Sequence, residues 1–308
     1  MQLQMNNSTD VLGNVFRFIA PYALNVWQYL DSNFSAALFG ALAGALGAHF
    51  IAARSERRRR LLSEISGVNN AIELSNTIAN TFLAIKRQHV KSLGETYARD
   101  FEKFAVFLSL PRPPPPAPPA LYVFVADFRT FPMPLTPVVE LRETILNRIQ
   151  TSVRAISISI PLHQCIDSFA TVLGARVAVF QRIRALPDAD KVAVYFGLRT
   201  SAGDIDETYP DLMLGLCNNV DDAIYFSILL EEILVAHGNT LAKRYGRASP
   251  KILKIDNSNV PADLLPDRAN YPDFERIFRA IIPPHSVLNN LLRRATAVWS
   301  KGSKTGSK

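Results

Sequence analysis

The stretch FSAALFGALAGALGAHFIAARSERRRR, residues 34–60, decides how the rest of the chain is read. Its first twenty positions, Phe34 to Ala53, carry no formal charge. Wound as a helix at 1.5 Å per residue they reach about 30 Å, the thickness of a bilayer's hydrocarbon core. Five arginines follow at once, Arg54, Arg57, Arg58, Arg59 and Arg60, against the single Glu56. Arginine resists translocation, so the spacing predicts a transmembrane helix over 34–53 with the N-terminus outside and the C-terminal domain in the cytoplasm. A cleaved signal peptide carries its positive charge before the apolar run, and here the order is reversed.

Within the span, Ala36, Gly40, Gly44 and Ala48 fall four apart on one face, the arrangement that lets two membrane helices approach closely. Ala and Gly are also common in transmembrane helices without any partner, so the stripe offers a homo-oligomer contact and equally an ordinary lipid-facing surface. Upstream, residues 11–30 place Val11, Leu12, Val15, Phe16, Ile19, Tyr22, Val26, Trp27 and Leu30 on one helical face. Arg17, Pro21, Asn14 and Asn25 make a second span expensive, and the aromatic residues favour the headgroup region, so segment 1–33 reads as extracytoplasmic with an amphipathic helix lying in the interface.

Charge counted by region separates the partners that the net +7 leaves open. Residues 61–290 hold 23 basic and 24 acidic side chains, so the excess lies at the border of the span and in the last 18 residues. A nucleic-acid binder carries its positive charge as a face of the folded body, so no nucleic-acid partner is expected and anionic lipid is the better match. Two cysteines, Cys165 and Cys217, lack CxxC spacing and read as ordinary thiols in a reducing compartment.

Beyond the arginines, apolar positions Leu61, Ile65, Val68, Ile72, Ala79, Phe82 and Leu83 keep helical spacing, so juxtamembrane helices fill 54–110, with Gly94 as the expected break. PRPPPPAPP, residues 111–119, holds seven prolines in nine positions, an extended linker over 111–120 about 28 Å long. Residues 121–299 complete a helical bundle with 54–110: Leu121 to Val125 read as a short strand or extended cover, then come one helix from a Thr136 cap and Pro137 to about Arg154 and one from Pro161 to about Leu186 with Ile166, Phe169, Leu173, Val177, Phe180 and Ile183 inward. AISISI, 155–160, alternates like a strand but has no partner strand, which favours helix or turn. The longest runs from Glu207 to Tyr245, and AIYFSILLEEILVA, 223–236, is apolar nearly all round, as a central helix must be. Loops are marked at 187–191 and 197–206, residues 246–272 are irregular, short helices follow near 273–282 and 285–299, and 300–308 forms a disordered tail. The expected fold is all-α: an N-terminal transmembrane helix, then an antiparallel helical bundle with coiled-coil-like packing.

Candidate sites each have a plainer alternative. Asn69, Glu73, Asn76 and Asn80 make a polar seam that forms a pocket only if His237 of the long helix faces it; otherwise it is a solvated flank. His163, Cys165 and Asp167 alternate, so on a helix they cannot all converge on one metal or substrate atom. Asp221 and Asp222 read as surface residues, and Glu231 and Glu232 as a flank or ion pairs. GALAGALG and GSKTGSK lack the full phosphate-loop pattern, and the prolines fit a polyproline ligand pattern trivially. No catalytic, cofactor-binding or metal-ligating residue is expected, and no cofactor.

The small-residue span, the arginine border, LLSEISGVNNAIELSNTIANTFLAIKRQHV, and YFGL at 195–198 with DETYPD resemble uncharacterised bacterial single-pass membrane proteins with a helical soluble domain. That resemblance implies a bacterial inner membrane and carries over no activity. The function expected is a membrane-tethered interaction or scaffold protein with the lipid bilayer and a protein as partners. The alternatives are a membrane-perturbing effector that oligomerises through its transmembrane helix, and an enzyme with a nonstandard site.

Overall fold

The computed structural model describes residues 33–111, 122, 125–149, 152–256 and 258–279. The chain divides into two compact units at Leu61 and Leu62. The described residues are helical apart from turns, loops and one isolated bridge between Arg199 and Ile205. The expected all-α class is what forms. The interfacial segment 11–30, the prolines after Pro111, the helix at 285–299 and the tail lie outside the described residues.

Helix α1 (Asn33–Ile85) runs through the apolar stretch, the arginines and the Asn-rich seam without interruption. In the first unit none of residues 37–60 is buried. In the second, Ile65, Val68, Ile72, Ile78 and Phe82 enter the core. A single π-helical turn (Lys86–Val90) joins α1 to α2 (Lys91–Ser109). Gly94 does not break the helix as its residue type suggests. A Cβ there would stand 3.4 Å from the Cys217 sulfur, so this glycine allows close helix packing instead. The helix stops at Leu110, whose extended backbone (ψ 140°) is what a residue preceding proline adopts.

Helix α3 (Val138–Arg148) is shorter than its sequence suggests, and Pro137, not Thr136, occupies its cap position. The next helix, α4 (Val153–Ala185), takes in AISISI and carries Pro161 inside it. Ser152 caps α4 by accepting from the Ala155 amide at 3.3 Å. Proline costs the helix one backbone bond, and burial of Ile158, Leu162, Ile166 and Phe169 along the same face offsets it. The expected loop at 187–191 is largely the start of α5 (Asp188–Phe196), whose first-turn Asp188 and Asp190 suit the positive end of a helix. Gly197 ends α5 at φ 67°, a left-handed cap that a side chain would strain and that would bring a Cβ to 2.9 Å from Pro210.

Helix α6 (Thr208–Tyr245) is the interior element of the second unit: Ala223, Ile224, Leu229, Leu230, Ile233 and Leu234 are all buried, and over this stretch only Glu232 is exposed. Its neighbours run against it. On α4, Val172 meets Gly215 and Phe180 meets Tyr209. On α1 and α2, Glu64 meets His237, Ser75 donates to the Ser227 carbonyl at 2.8 Å, Lys86 meets Asp221 and Tyr97 meets Tyr209. Position numbers fall along one helix as they rise along the other, so both contacts are antiparallel. Arg268–Asn270 forms a 3-10 turn, and α7 (Pro272–Arg279) follows.

Candidate functional site

Among the described residues two helical stretches are long and apolar enough to cross a membrane by length and composition: the one starting at Ala37, and α4. Burial tells them apart. The apolar window of the first is 0% buried, whereas 39% of the α4 window lies inside the molecule, as expected of a core helix. Leu38, Phe39, Leu42, Leu46, Phe50 and Ile51 are each more than half exposed and point to several sides of the helix. Burying such side chains is worth roughly 1.5–3 kcal/mol each, so their exposure to water would be costly. Arg54, Arg57, Arg58, Arg59 and Arg60 continue the helix in exposed positions, with Arg60 bonded to Glu56 at 2.9 Å. A Cβ at Gly40 or Gly44 would meet nothing within 4 Å, and Ala48 is exposed.

The polar seam separates into unrelated parts. His237 Nε2 lies 3.2 Å from Glu64, an acid outside the expected set, and each side chain is 15% exposed. Asn80 donates to Asn76 at 3.0 Å, one turn back along the same helix, and Glu73 is exposed. Asn69 grips the chain after α6: its amide nitrogen donates to the Lys251 carbonyl and its amide oxygen accepts from the Leu253 amide, both at 3.0 Å. This pair of bonds is what a neighbouring strand would supply. Ile252, between the two, turns inward against Gly238.

The most demanding polar arrangement surrounds a residue the sequence reading passed over. Arg176 is fully buried on α4, while the neighbouring Val177, expected inward, is 40% exposed. Its guanidinium donates to the carbonyls of Arg129 at 2.6 Å and Asp127 at 3.3 Å, and lies 4.3 Å over the Phe180 ring. Asp127 in turn accepts from Arg129 at 2.6 Å, which, with the amide of Arg129 and the charge of Arg176, holds its carboxyl below the usual carboxylate range. Around them stand Phe128, Phe180, Tyr195 and Tyr209, with Tyr97 and Phe196 beyond. Burial raises the hydroxyls of Tyr195 and Tyr209 and pushes Tyr97 up to about 12. The cluster fastens the non-helical segment before α3 onto α4. The signal was present in VLGARVAVF: an arginine on the apolar stripe must find acceptors or leave the core.

The thiols are not activated. Burial first, and the nearby Asp222 carboxylate second, push Cys165 up to about 12; burial also raises Cys217. A nucleophilic cysteine needs the opposite shift. His163 does approach Asp167, at 3.4 Å as an i,i+4 pair, but Cys165 is buried on another face. Asp221 and Asp222 are not free surface groups: Lys86 pairs with Asp221 at 2.6 Å, and Tyr271 donates to Asp222 at 2.8 Å. Burial raises Asp222 despite that bond. Glu231 is buried and Glu232 pairs with Arg268, which also reaches Glu275 at 3.5 Å. Beside this network Tyr225, Ile228, Leu229, Leu265 and Pro266 line a cavity of about 200 Å³. No three His, Cys, Asp or Glu side chains among the described residues converge to hold a metal ion.

No protein-family model, no curated protein and no solved structure matches the chain.

Proposed function

We propose that the protein is a membrane-tethered interaction or scaffold protein, anchored by residues 34–53 with its N-terminus outside and its helical body, an antiparallel bundle built on α6, in the cytoplasm of a bacterial cell. The observation that carries this reading is the 0% burial of the apolar stretch from Ala37, followed by the arginine border. Water is a poor solvent for six exposed Leu, Phe and Ile side chains, and lipid is a good one. The arginines favour the cytoplasmic leaflet through both the positive-inside rule and its anionic lipids. The face of Ala36, Gly40, Gly44 and Ala48 is the surface through which two copies associate in the bilayer under this reading.

Alkaline phosphatase fused at Ser8 and a fluorescent protein fused at Lys308 test the orientation in a bacterial host. Both reporters are expected to be active, and the chain is expected to stay in the pellet after alkaline carbonate extraction. Release into the supernatant would reject the anchor, and a phosphatase silent at Ser8 would reject the orientation.

A further inference from the structure

Residues 61–290 are nearly neutral as a whole, but their charge is not evenly placed. The last turn of α6 and the segment after it carry Lys243, Arg244, Arg247, Lys251 and Lys254, with no acidic residue between Ile233 and Ile255. All five are exposed, and none has a carboxylate within ion-pair distance among the described residues. Lys243 and Arg244 complement the negative end of the α6 dipole, which explains two of them. Arg247, Lys251 and Lys254 lie beyond the helix and need another explanation. Arg148 adds a sixth exposed cation at this end, because α3 finishes against Gly67.

The segment is built to face outward. Asn69 holds Lys251 and Leu253 by their backbone, Ile252 is driven inward against Gly238 and Val68, and alternation then leaves Lys251 and Leu253 pointing away from the core. Leu253 is 43% exposed between two lysines. This is also the end at which the chain enters the unit, since Glu64 meets His237 and Asn69 meets Lys251. At the opposite end of α6, about 57 Å away for its 38 residues, the loop and α5 gather Asp188, Asp190, Asp204, Asp206, Glu207 and Asp211.

We propose that the basic end formed by Arg148, Lys243, Arg244, Arg247, Lys251 and Lys254, with the exposed Leu253 between the last two lysines, docks on the anionic headgroups of the membrane to which the chain is tethered. The inference rests on the tether of the proposed function. Lipid is favoured over nucleic acid because the chain enters at this end, which raises the local concentration of headgroups, and because an exposed leucine among lysines suits an interface of phosphates and acyl chains.

The test uses the full chain with Cys217→Ser and a fluorophore on Ala248→Cys, reconstituted in nanodiscs carrying a nitroxide on the lipid headgroup. Several-fold stronger quenching in phosphatidylglycerol-containing discs than in phosphatidylcholine discs is expected. Arg247→Glu with Lys251→Glu and Lys254→Glu should abolish the difference, while Asp204→Lys at the far end should leave it. Equal quenching in both discs, or a difference that survives the charge reversal, overturns the docking. So does fluorophore protection by duplex DNA that exceeds the effect of anionic lipid. A chain that fails to enter discs at all sinks the tether itself, an outcome distinct from a retained chain whose fluorophore is not quenched.

Discussion

Arg176 shows what a single residue demands of its surroundings. A guanidinium with no exposed surface must be satisfied by acceptors, and the carbonyls of Asp127 and Arg129 supply them from a segment that has no regular structure of its own. Arg176→Met keeps most of the volume and deletes both donors, leaving two carbonyls unpaired. The expected loss is about 1–3 kcal/mol, below the sum of two stranded acceptors because the substitution also relieves the desolvation of a charge. Urea unfolding of the detergent-solubilised protein measures it, and an unchanged midpoint would show that the 125–137 segment is held by its aromatic contacts alone. The sequence reading placed Val177 inward because hydropathy alone ranks valine above arginine. It also placed Asp221 and Asp222 on the surface, since their partners, Lys86 and Tyr271, lie far away in the chain and no local pattern announces them.

At the scale of elements, helix existence was legible and helix boundaries were not. The α6 bounds agree within a residue because its apolar run is long and both ends carry breakers, whereas α4 crosses a proline that ordinarily stops a helix. Tertiary burial outweighs local propensity there, as it does at Gly94. Two other glycines in helix interiors make opposite cases. Gly174 is exposed on α4 with nothing within 4 Å of a Cβ, so Gly174→Ala should raise stability by about 0.5–1 kcal/mol. At Gly67 a Cβ would sit 2.8 Å from the Arg148 Cβ and 3.5 Å from its carbonyl oxygen. Gly67→Ala should therefore lower stability by about 1–3 kcal/mol despite its better helix propensity, because α3 has to move away. Thermal unfolding of the pair gives the signs directly, and a gain at both sites would mean that α3 packs loosely on α1. The Asn69 clamp belongs to this scale too: the seam was visible as four spaced polar residues, but only folding shows that one of them serves as a surrogate strand while two bond to each other.

For the whole molecule, the division at Leu61 separates a unit that contributes no buried side chain among residues 37–60 from one that holds the core. Removal of residues 1–61 should leave the body folded, with its melting temperature changed by no more than about 3 °C, equivalent to about 1 kcal/mol for a body of this size. A larger fall would show that the first unit stabilises the second. The charge count by region anticipated the overall neutrality of the body but not its polarity, because a sum over 61–290 cancels a basic end against an acidic one. The aromatic cluster around Tyr97, Tyr195 and Tyr209 also gives the molecule a convenient optical division. Its two tryptophans, Trp27 and Trp299, both fall outside the described residues, so the described body contains tyrosine and no indole. Light absorbed by tryptophan alone therefore reports on the ends of the chain. The buried Tyr195, Tyr209 and Tyr225 contribute near-ultraviolet dichroism from the packed interior, so one unlabelled sample carries both signals.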